Sequence, residues 1–285
     1  MKGYLTILGI FTAVYLGLLP GCAKTAPNPT SMDSVDATHP DSSLTPTTQV
    51  SPAVLETKAP LGFCSPLADI ELSELEKFVS NPFSPSLIAD ARDSGHHGVD
   101  FAYYTHPDTG KIMLGSPIDA MLAGRVASVS SGKTPYGNLV IIETPLNRLP
   151  DDLKAIFIGY PQPTPMITET HLTCPNTPDI DSNWRFDQPS IYVLYAHMDK
   201  PAEVKVNEQV VCGHQIGIVG TSGKSVNPHL HLEIRFGPGN ATFTSLAHYT
   251  DAATPEEMAA YCTWRVSGLF QAVDPMKLIK TNYLK

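Results

Sequence analysis

His229-Leu230-His231 dictates the backbone on which it sits. Side chains at i and i+2 share one face of a β-strand but lie about 200° apart around a helix, so the two imidazoles converge only from extended chain. A second cluster, His96-His97-Gly98-Val99-Asp100, carries His96 and Asp100 at i and i+4. That spacing suits either element, but Gly98 between them and the alternation Val99, Phe101, Tyr103 after them favour a strand. Two strands presenting His and Asp side chains predict a sheet with a metal site on its surface.

The chain is long enough for one or two domains: 285 residues, 42% hydrophobic and 16% charged, supply a sizeable core. A formal charge of −9, with no Lys/Arg-rich block, excludes a broad basic surface for nucleic acid or anionic lipid. Residues 1–21 read as a secretory signal, with one early lysine, an apolar run from Leu5 to Leu19 and a small residue before Cys22. Leu19-Pro20-Gly21-Cys22 resembles a bacterial lipobox, which implies that Cys22 is lipidated and anchors the mature chain to a membrane. The alternative is an ordinary signal cut near Ala23. In a cell with two membranes, Ala23 after the lipidated cysteine resembles the outer-membrane sorting pattern, facing the periplasm.

Residues 22–60 are rich in Ser, Thr and Pro and poor in large apolar side chains, so they cannot offset their conformational entropy by burial. We read them as a disordered tether, with a root-mean-square span of about 35 Å. Residues 61–285 are then one domain. Ser65-Pro66 followed by Leu67, Ile70, Leu75 and Phe78 predicts a short helix before Asn81-Pro82. Strands are expected at Val99 to Tyr104, Ile118 to Ser128, Leu139 to Glu143, Ile191 to His197, Val204 to Val211, Gln215 to Val219 and His229 to Phe236. Thr254-Pro255-Glu256-Glu257 is a capping box that opens a helix to about Val266, and Asp274-Pro275 starts a terminal turn. The fold class is mainly β, a single antiparallel sheet with a substrate groove and short flanking helices.

Three blocks in order carry a family resemblance: His96-x-x-x-Asp100, then Tyr195-Ala196-His197-Met198, then Gly217 to Ser225 followed by Asn227-Pro228-His229-Leu230-His231-Leu232-Glu233. They resemble the lysostaphin/LytM-type zinc endopeptidases of bacterial cell walls, and the likeness covers roughly residues 95–285. It implies a zinc metalloendopeptidase acting on amide bonds of peptidoglycan stems or cross-bridges. One zinc is expected on His96, Asp100 and His231, three N/O ligands that leave a position for water, as catalytic sites do. By the same resemblance His197 and His229 stand beside the metal as proton-transfer and oxyanion-stabilising groups. His97, of opposite strand parity, is read as non-ligating. Glu233 shares parity with His231 and either orients it or lies on the surface. Gly217, Gly220 and Gly223 are read as a turn delivering the His229 strand, since no βαβ pattern supports a nucleotide loop.

The main rival is a non-catalytic LytM-like module that binds wall peptide or activates a hydrolase; such members usually lack ligands or catalytic histidines, and this chain has all five positions. A zinc-buffering lipoprotein would carry a His-rich loop, which is absent from the sequence. With Cys22 taken by lipid, Cys64, Cys174, Cys212 and Cys262 permit three full pairings. We expect Cys64 with Cys262 and Cys174 with Cys212, buried free thiols being the alternative. Residues 145–189 exceed an ordinary connection, and their prolines and aromatics predict an ordered wall along the substrate groove.

Overall fold

The computed structural model describes residues 62–86, 93–160, 174 and 180–283, all within a compact unit, 56–285. The segments expected as a signal and a tether, with Cys22 between them, lie outside the described residues. In chain order the strands are β1 (Val79–Asn81), β2 (Ser84–Pro85), β3 (Gly95–His96), β4 (Val99–Phe101), β5 (Pro117–Asp119) and β6 (Gly124–Lys133). They continue with β7 (Gly137–Pro145), β8 (Arg185–Met198), β9 (Gln209–Val210), β10 (Gln215–Ile218), β11 (Leu230–Gly239) and β12 (Gln271–Val273). The fold is mainly β. Its main antiparallel sheet runs β1-β4-β11-β8-β7-β6-β9, with β12 also against β11, and β5–β10 and β2–β3 form separate pairs.

Both faces of the long central strands are covered, so both parities are apolar. Leu230, Leu232, Ile234 and Phe236 of β11 join Val193, Tyr195, Val140 and Ile142 in one core. On the other face Leu139, Ile141, Tyr192, Leu194 and Ala196 pack with Tyr261, Trp264 and Phe270. Helix α1 (Asp151–Ala155) contributes Leu153 and helix α3 (Pro275–Tyr283) contributes Leu278 and Ile279 to the first core. Helix α2 (Pro255–Arg265) closes the second face and begins at the capping box read from sequence, with Thr254 accepting from the Glu257 N–H. His231, Glu233 and Arg235 have the parity of this second face.

Several local expectations are corrected. The first helix is a shorter 3-10 segment, Leu72–Phe78, because Leu67 bridges Ile118 and the Pro66 carbonyl accepts from Asp119 N, which uses residues 65–68 as an edge. His96 and Asp100 do not share one strand; the chain bends at His97-Gly98 between β3 and β4. Strand structure near Val204 to Val211 shrinks to Gln209–Val210, since Asn207 adopts φ 72° and Glu208 N closes a turn on the Lys205 carbonyl. Asp274-Pro275 starts a helix rather than a turn, Asp274 Oδ1 accepting from Met276 N.

The four described cysteines are paired, but with exchanged partners: Cys64–Cys212 and Cys174–Cys262. The expected pairs would have had to cross the sheet. Cys64 donates its N–H to the Met121 carbonyl, the oxygen on which Cys212 Sγ also rests. Cys262, with Cys174 against it, belongs to the opposite core under α2.

Candidate metal centre

Register places the first two side chains. β4 and β11 pair with Asp100 directly opposite His231, and Leu230 and Leu232 on either side point into the core. Directly opposed antiparallel residues have Cβ atoms about 5 Å apart, close enough for a shared ion. His231 Nδ1 lies 2.7 Å from Asp100 Oδ1. His96, on the neighbouring β3, brings Nε2 to 3.0 Å from the same oxygen and 3.1 Å from His231 Nδ1. Gly98 makes the bend between them possible: a Cβ there would stand 2.4 Å from the Leu232 carbonyl and 2.9 Å from His231 Cε1.

Each of the three groups has a partner behind it. His96 Nδ1 is 2.9 Å from the Pro82 carbonyl, and His231 Nε2 is 3.2 Å from Glu233 Oε1, so those nitrogens carry the protons. Asp100 Oδ2 accepts from Asn81 Nδ2 at 3.2 Å. What remains is two nitrogen lone pairs and a carboxylate oxygen directed at one point. Such a set repels itself unless a proton or a metal cation lies among its members, and without an ion a proton on His231 Nδ1 takes that place. Burial lowers the His231 pKa, but the hydrogen bonds its ring donates to Asp100 and Glu233 outweigh it and push it up to about 9. Asp100 is partly buried, which raises its pKa, yet His231 and His96 hold its carboxyl below the usual range. The N, N, O donor set, with its atoms within 4.8 Å of one another, fits a zinc-type ion.

Glu233 is not a surface residue; it is fully buried beneath His231. It accepts from Tyr136 Oη at 2.7 Å, Trp264 Nε1 at 3.1 Å, Arg235 Nε at 2.9 Å and Arg265 Nη1 at 3.1 Å. Burial raises its pKa, but Arg235, His231 and Arg265 together hold it well below the usual carboxylate range. Arg265 also binds Asp93, through Nε to Oδ1 at 2.9 Å, and Asp93 accepts from Tyr261 Oη at 2.8 Å. Arg235 donates to the carbonyls of Trp264 and Phe270 and to His97 Nδ1 at 3.0 Å. His97 therefore faces away from the three donor groups, with burial and the two arginines pushing its pKa down to about 3.

The two remaining histidines flank the triangle. Between the register pairs Asn138↔Met198 and Val140↔Tyr195, Ala196 and His197 oppose the single residue Leu139, a β-bulge that re-aims His197. His197 adopts φ 62°, a left-handed conformation that a non-glycine residue holds at a cost of about 1–2 kcal/mol. Its Nδ1 donates to the Ser222 carbonyl at 2.8 Å. Gly223, with φ 74°, lets that loop lie against Gly137, where a Cβ would meet Gly137 N at 2.3 Å. His229 Nδ1 donates to the Asn227 carbonyl at 2.8 Å, and its Nε2 lies 3.8 Å from Asp100 Oδ1. The His197 and His229 rings are 4.7 Å apart between centroids. Burial, with His231 and His229 nearby, drives His197 down to about 3, so its imidazole is neutral.

All five histidine and aspartate side chains line one cleft of about 720 Å³, with Tyr136, Lys224, Tyr249 and Arg265 among its other walls. The segment 145–189 was expected to wall it, but none of its described residues does. It leaves β7 at Pro145 and enters β8 at Arg185, the end of that strand remote from His197. Leu146, Arg148, Phe157 and Pro189 instead border a separate cavity of about 700 Å³ with Arg125 and Glu143. Residues 161–173 and 175–179 lie outside the described residues. Sequence reasoning missed Tyr136, Asn81, Arg235 and Arg265. Arg235 alone had a signal, the same strand parity as Glu233.

Residues 186–242 match the sequence model of Peptidase family M23, a span that includes His197, His229 and His231. No curated protein matches the chain. Among solved structures it is similar to the catalytic domain of the antimicrobial peptidase lysostaphin from Staphylococcus simulans, at 17% identity over 74% of this chain and 98% of that one, TM-score 0.36. It is similar to a zinc-containing peptidase from Vibrio cholerae, at 22% identity over 55% of this chain and 32% of that one, TM-score 0.30. It is also similar to the catalytic domain of the prophage-encoded M23 protein EnpA from Enterococcus faecalis, at 21% identity over 65% and 87% respectively, TM-score 0.31.

Proposed function

We propose that this chain, a member of peptidase family M23, is a zinc metalloendopeptidase that hydrolyses amide bonds in peptidoglycan peptide stems or cross-bridges. The observation that carries the reading is the convergence of His96 Nε2, Asp100 Oδ1 and His231 Nδ1 within 3.1 Å, each backed by a second partner. These three residues would hold one zinc. When bound, zinc supplies Lewis acidity for a scissile carbonyl and makes water acidic enough to attack near neutral pH.

The chain's own groups do the rest. Because Nδ1 of His197 and of His229 is committed to a backbone carbonyl, Nε2 is the nitrogen each ring has for proton exchange. A neutral His197 accepts a proton from the attacking water; His229 delivers one to the leaving amine and, while it carries that proton, stabilises the developing oxyanion. Glu233 fixes the tautomer of His231, and Asn81 orients Asp100. The presence of all five side chains in one cleft supports an enzyme over a non-catalytic wall-binding module.

The exported location follows from the resemblance of residues 1–23 to a lipoprotein leader: Cys22 would carry the lipid, residues 22–60 would reach toward the wall, and the peptidase unit would meet peptidoglycan in the cell envelope, from an outer membrane if there are two. Purified protein incubated with isolated peptidoglycan, with and without a zinc chelator, tests the function. Mass analysis should find new amine and carboxyl ends on stem or cross-bridge fragments, lost on chelation. Intact peptidoglycan with zinc present would refute it.

A further inference from the structure

One turn, Thr134-Pro135-Tyr136, braces a whole wall of the histidine cleft. The Tyr136 carbonyl accepts from His197 N at 3.0 Å, the Pro135 carbonyl from Lys224 N at 2.8 Å and the Thr134 carbonyl from His248 N at 2.9 Å. Three successive carbonyls thus hold His197, the loop that carries Lys224 and the loop that carries Tyr249. The Lys224 loop is also tied to both flanking histidines. The Ser222 carbonyl accepts from His197 Nδ1, and Ser225 Oγ lies 3.3 Å from His229 Nδ1. The backbone of Lys224 therefore has a set place relative to both groups proposed for proton transfer.

Apart from the histidines, the ionised side chains that line the cleft among the described residues are Asp93, Asp100, Arg265 and Lys224. The first three are committed to one another or to the histidines. Asp93 accepts from Tyr249 Oη, Tyr261 Oη and Arg265 Nε. Asp100 faces His96 and His231, and Arg265 spans Asp93 and Glu233. Lys224 is exposed, and among the described residues its ammonium has no hydrogen-bond or ion-pair partner. A cation with an anchored backbone and an unengaged head is placed to take a negative group of whatever lies in the cleft. The formal charge of −9 opposes this only weakly. At physiological salt, exposed charges more than about 8 Å apart are largely screened, whereas Lys224 acts inside the cleft itself.

We propose that Lys224 is a specificity-determining residue whose ammonium takes a carboxylate of the substrate peptide, within two residues of the bond cut; the proposal rests on the peptidase reading. The enzyme then prefers a peptide with a free carboxylate at that position to the same peptide with a carboxamide there, because only the former makes an ion pair. The preference should be about five- to tenfold in kcat/KM, between the worth of an exposed ion pair and that of a hydrogen bond to a charged group.

Two readouts test it on the purified, zinc-loaded chain, with zinc content and thermal unfolding checking that each variant is folded. In the first, kcat/KM is compared for synthetic stem peptides joined by their cross-bridge, each carboxylate in turn replaced by the carboxamide. One replacement within two residues of the cut should lower kcat/KM about five- to tenfold. Lys224→Met should bring that ratio toward one, Lys224→Arg should keep it and Lys224→Glu should favour the carboxamide. A carboxylate that reached the metal instead would keep its advantage in Lys224→Met. Equal rates for all the peptides, or a ratio unchanged in Lys224→Met, would overturn the proposal. In the second, calorimetry measures binding of the same peptides to His229→Ala, with and without Lys224→Met. Tighter binding of one carboxylate form that disappears with Lys224→Met supports the proposal, and equal affinities overturn it. If the parent hydrolyses neither peptide nor peptidoglycan, the peptidase reading fails, and the affinities alone decide whether Lys224 takes a carboxylate.

Discussion

Asp100 and His231 stand directly opposite each other in the register of β4 and β11, with Oδ1 2.7 Å from Nδ1. Ladder hydrogen bonds thus fix the spacing of two proposed ligands, independently of any ion. A one-residue slip of β4 would turn Asp100 to the opposite face and part it from His231. Asp100→Ala should therefore leave the sheet intact and lower zinc occupancy, read by elemental analysis after dialysis. His229→Ala should keep the metal and abolish peptidoglycan release, as should His197→Ala. Full occupancy in the Asp100 variant would refute the ligand assignment, and near wild-type rates in either histidine variant would refute the catalytic roles.

Glu233 supports His231 and is the common acceptor for Arg235 and Arg265. Glu233→Gln removes the charge that compensates two buried guanidiniums, and breaking a buried ion pair costs about 3–5 kcal/mol. It also loosens the tautomer of His231, for which outer-shell losses of about 10- to 100-fold in metal affinity are ordinary. Urea unfolding of the metal-free protein and a competitive zinc titration should show both effects. A variant as stable as the parent would mean that the buried network contributes no net stability.

Gly98 is the hinge that lets His96 and Asp100 meet. Gly98→Ala would set a methyl group 2.4 Å from the Leu232 carbonyl and 2.9 Å from the His231 ring. Overpacking of that kind costs about 1–3 kcal/mol. Because the relief must come from His231 or from β4 parting from β11, zinc affinity should fall alongside stability. Unchanged thermal unfolding and zinc binding in this variant would remove the hinge argument.

How far the sequence could be read depended on the range of the interactions involved. The i, i+2 spacing of His229 and His231 required extended backbone, and β11 begins at Leu230 between them. The Thr254 capping box is equally local and marks where α2 begins. His96 and Asp100 misled as a single strand because the bend between them is set by a contact with Leu232, 134 positions beyond Gly98. Disulfide partners could not be read because no local pattern says which face of the sheet a cysteine joins. Arg265 and Tyr136 meet at Glu233 from α2 and from the turn before β7, a convergence that only the packed second core creates.

His97 gives the fold a dependence on acid. Its Nδ1 accepts from Arg235 and its Nε2 donates to the Ser94 carbonyl, so only the neutral ring satisfies both partners. Burial, then the charges of Arg235 and Arg265, lower its pKa to about 3 from an ordinary 6.5. In the unfolded chain His97 takes up a proton near pH 6.5; in the folded chain it does so only near 3. Between those values the unfolded state binds more protons, so stability rises with pH and is lost on acidification. Each unit of difference is worth about 1.4 kcal/mol. Carboxylates titrate in the same window, so the test is a comparison. His97→Gln can accept from Arg235 and donate to Ser94 without titrating. Urea unfolding of both metal-free proteins from pH 7.5 to 4 should show the parent losing stability relative to the variant below about pH 6.5. A pH-independent gap between them would mean that His97 is protonated equally in both states and that the Arg235 contact does not hold it neutral.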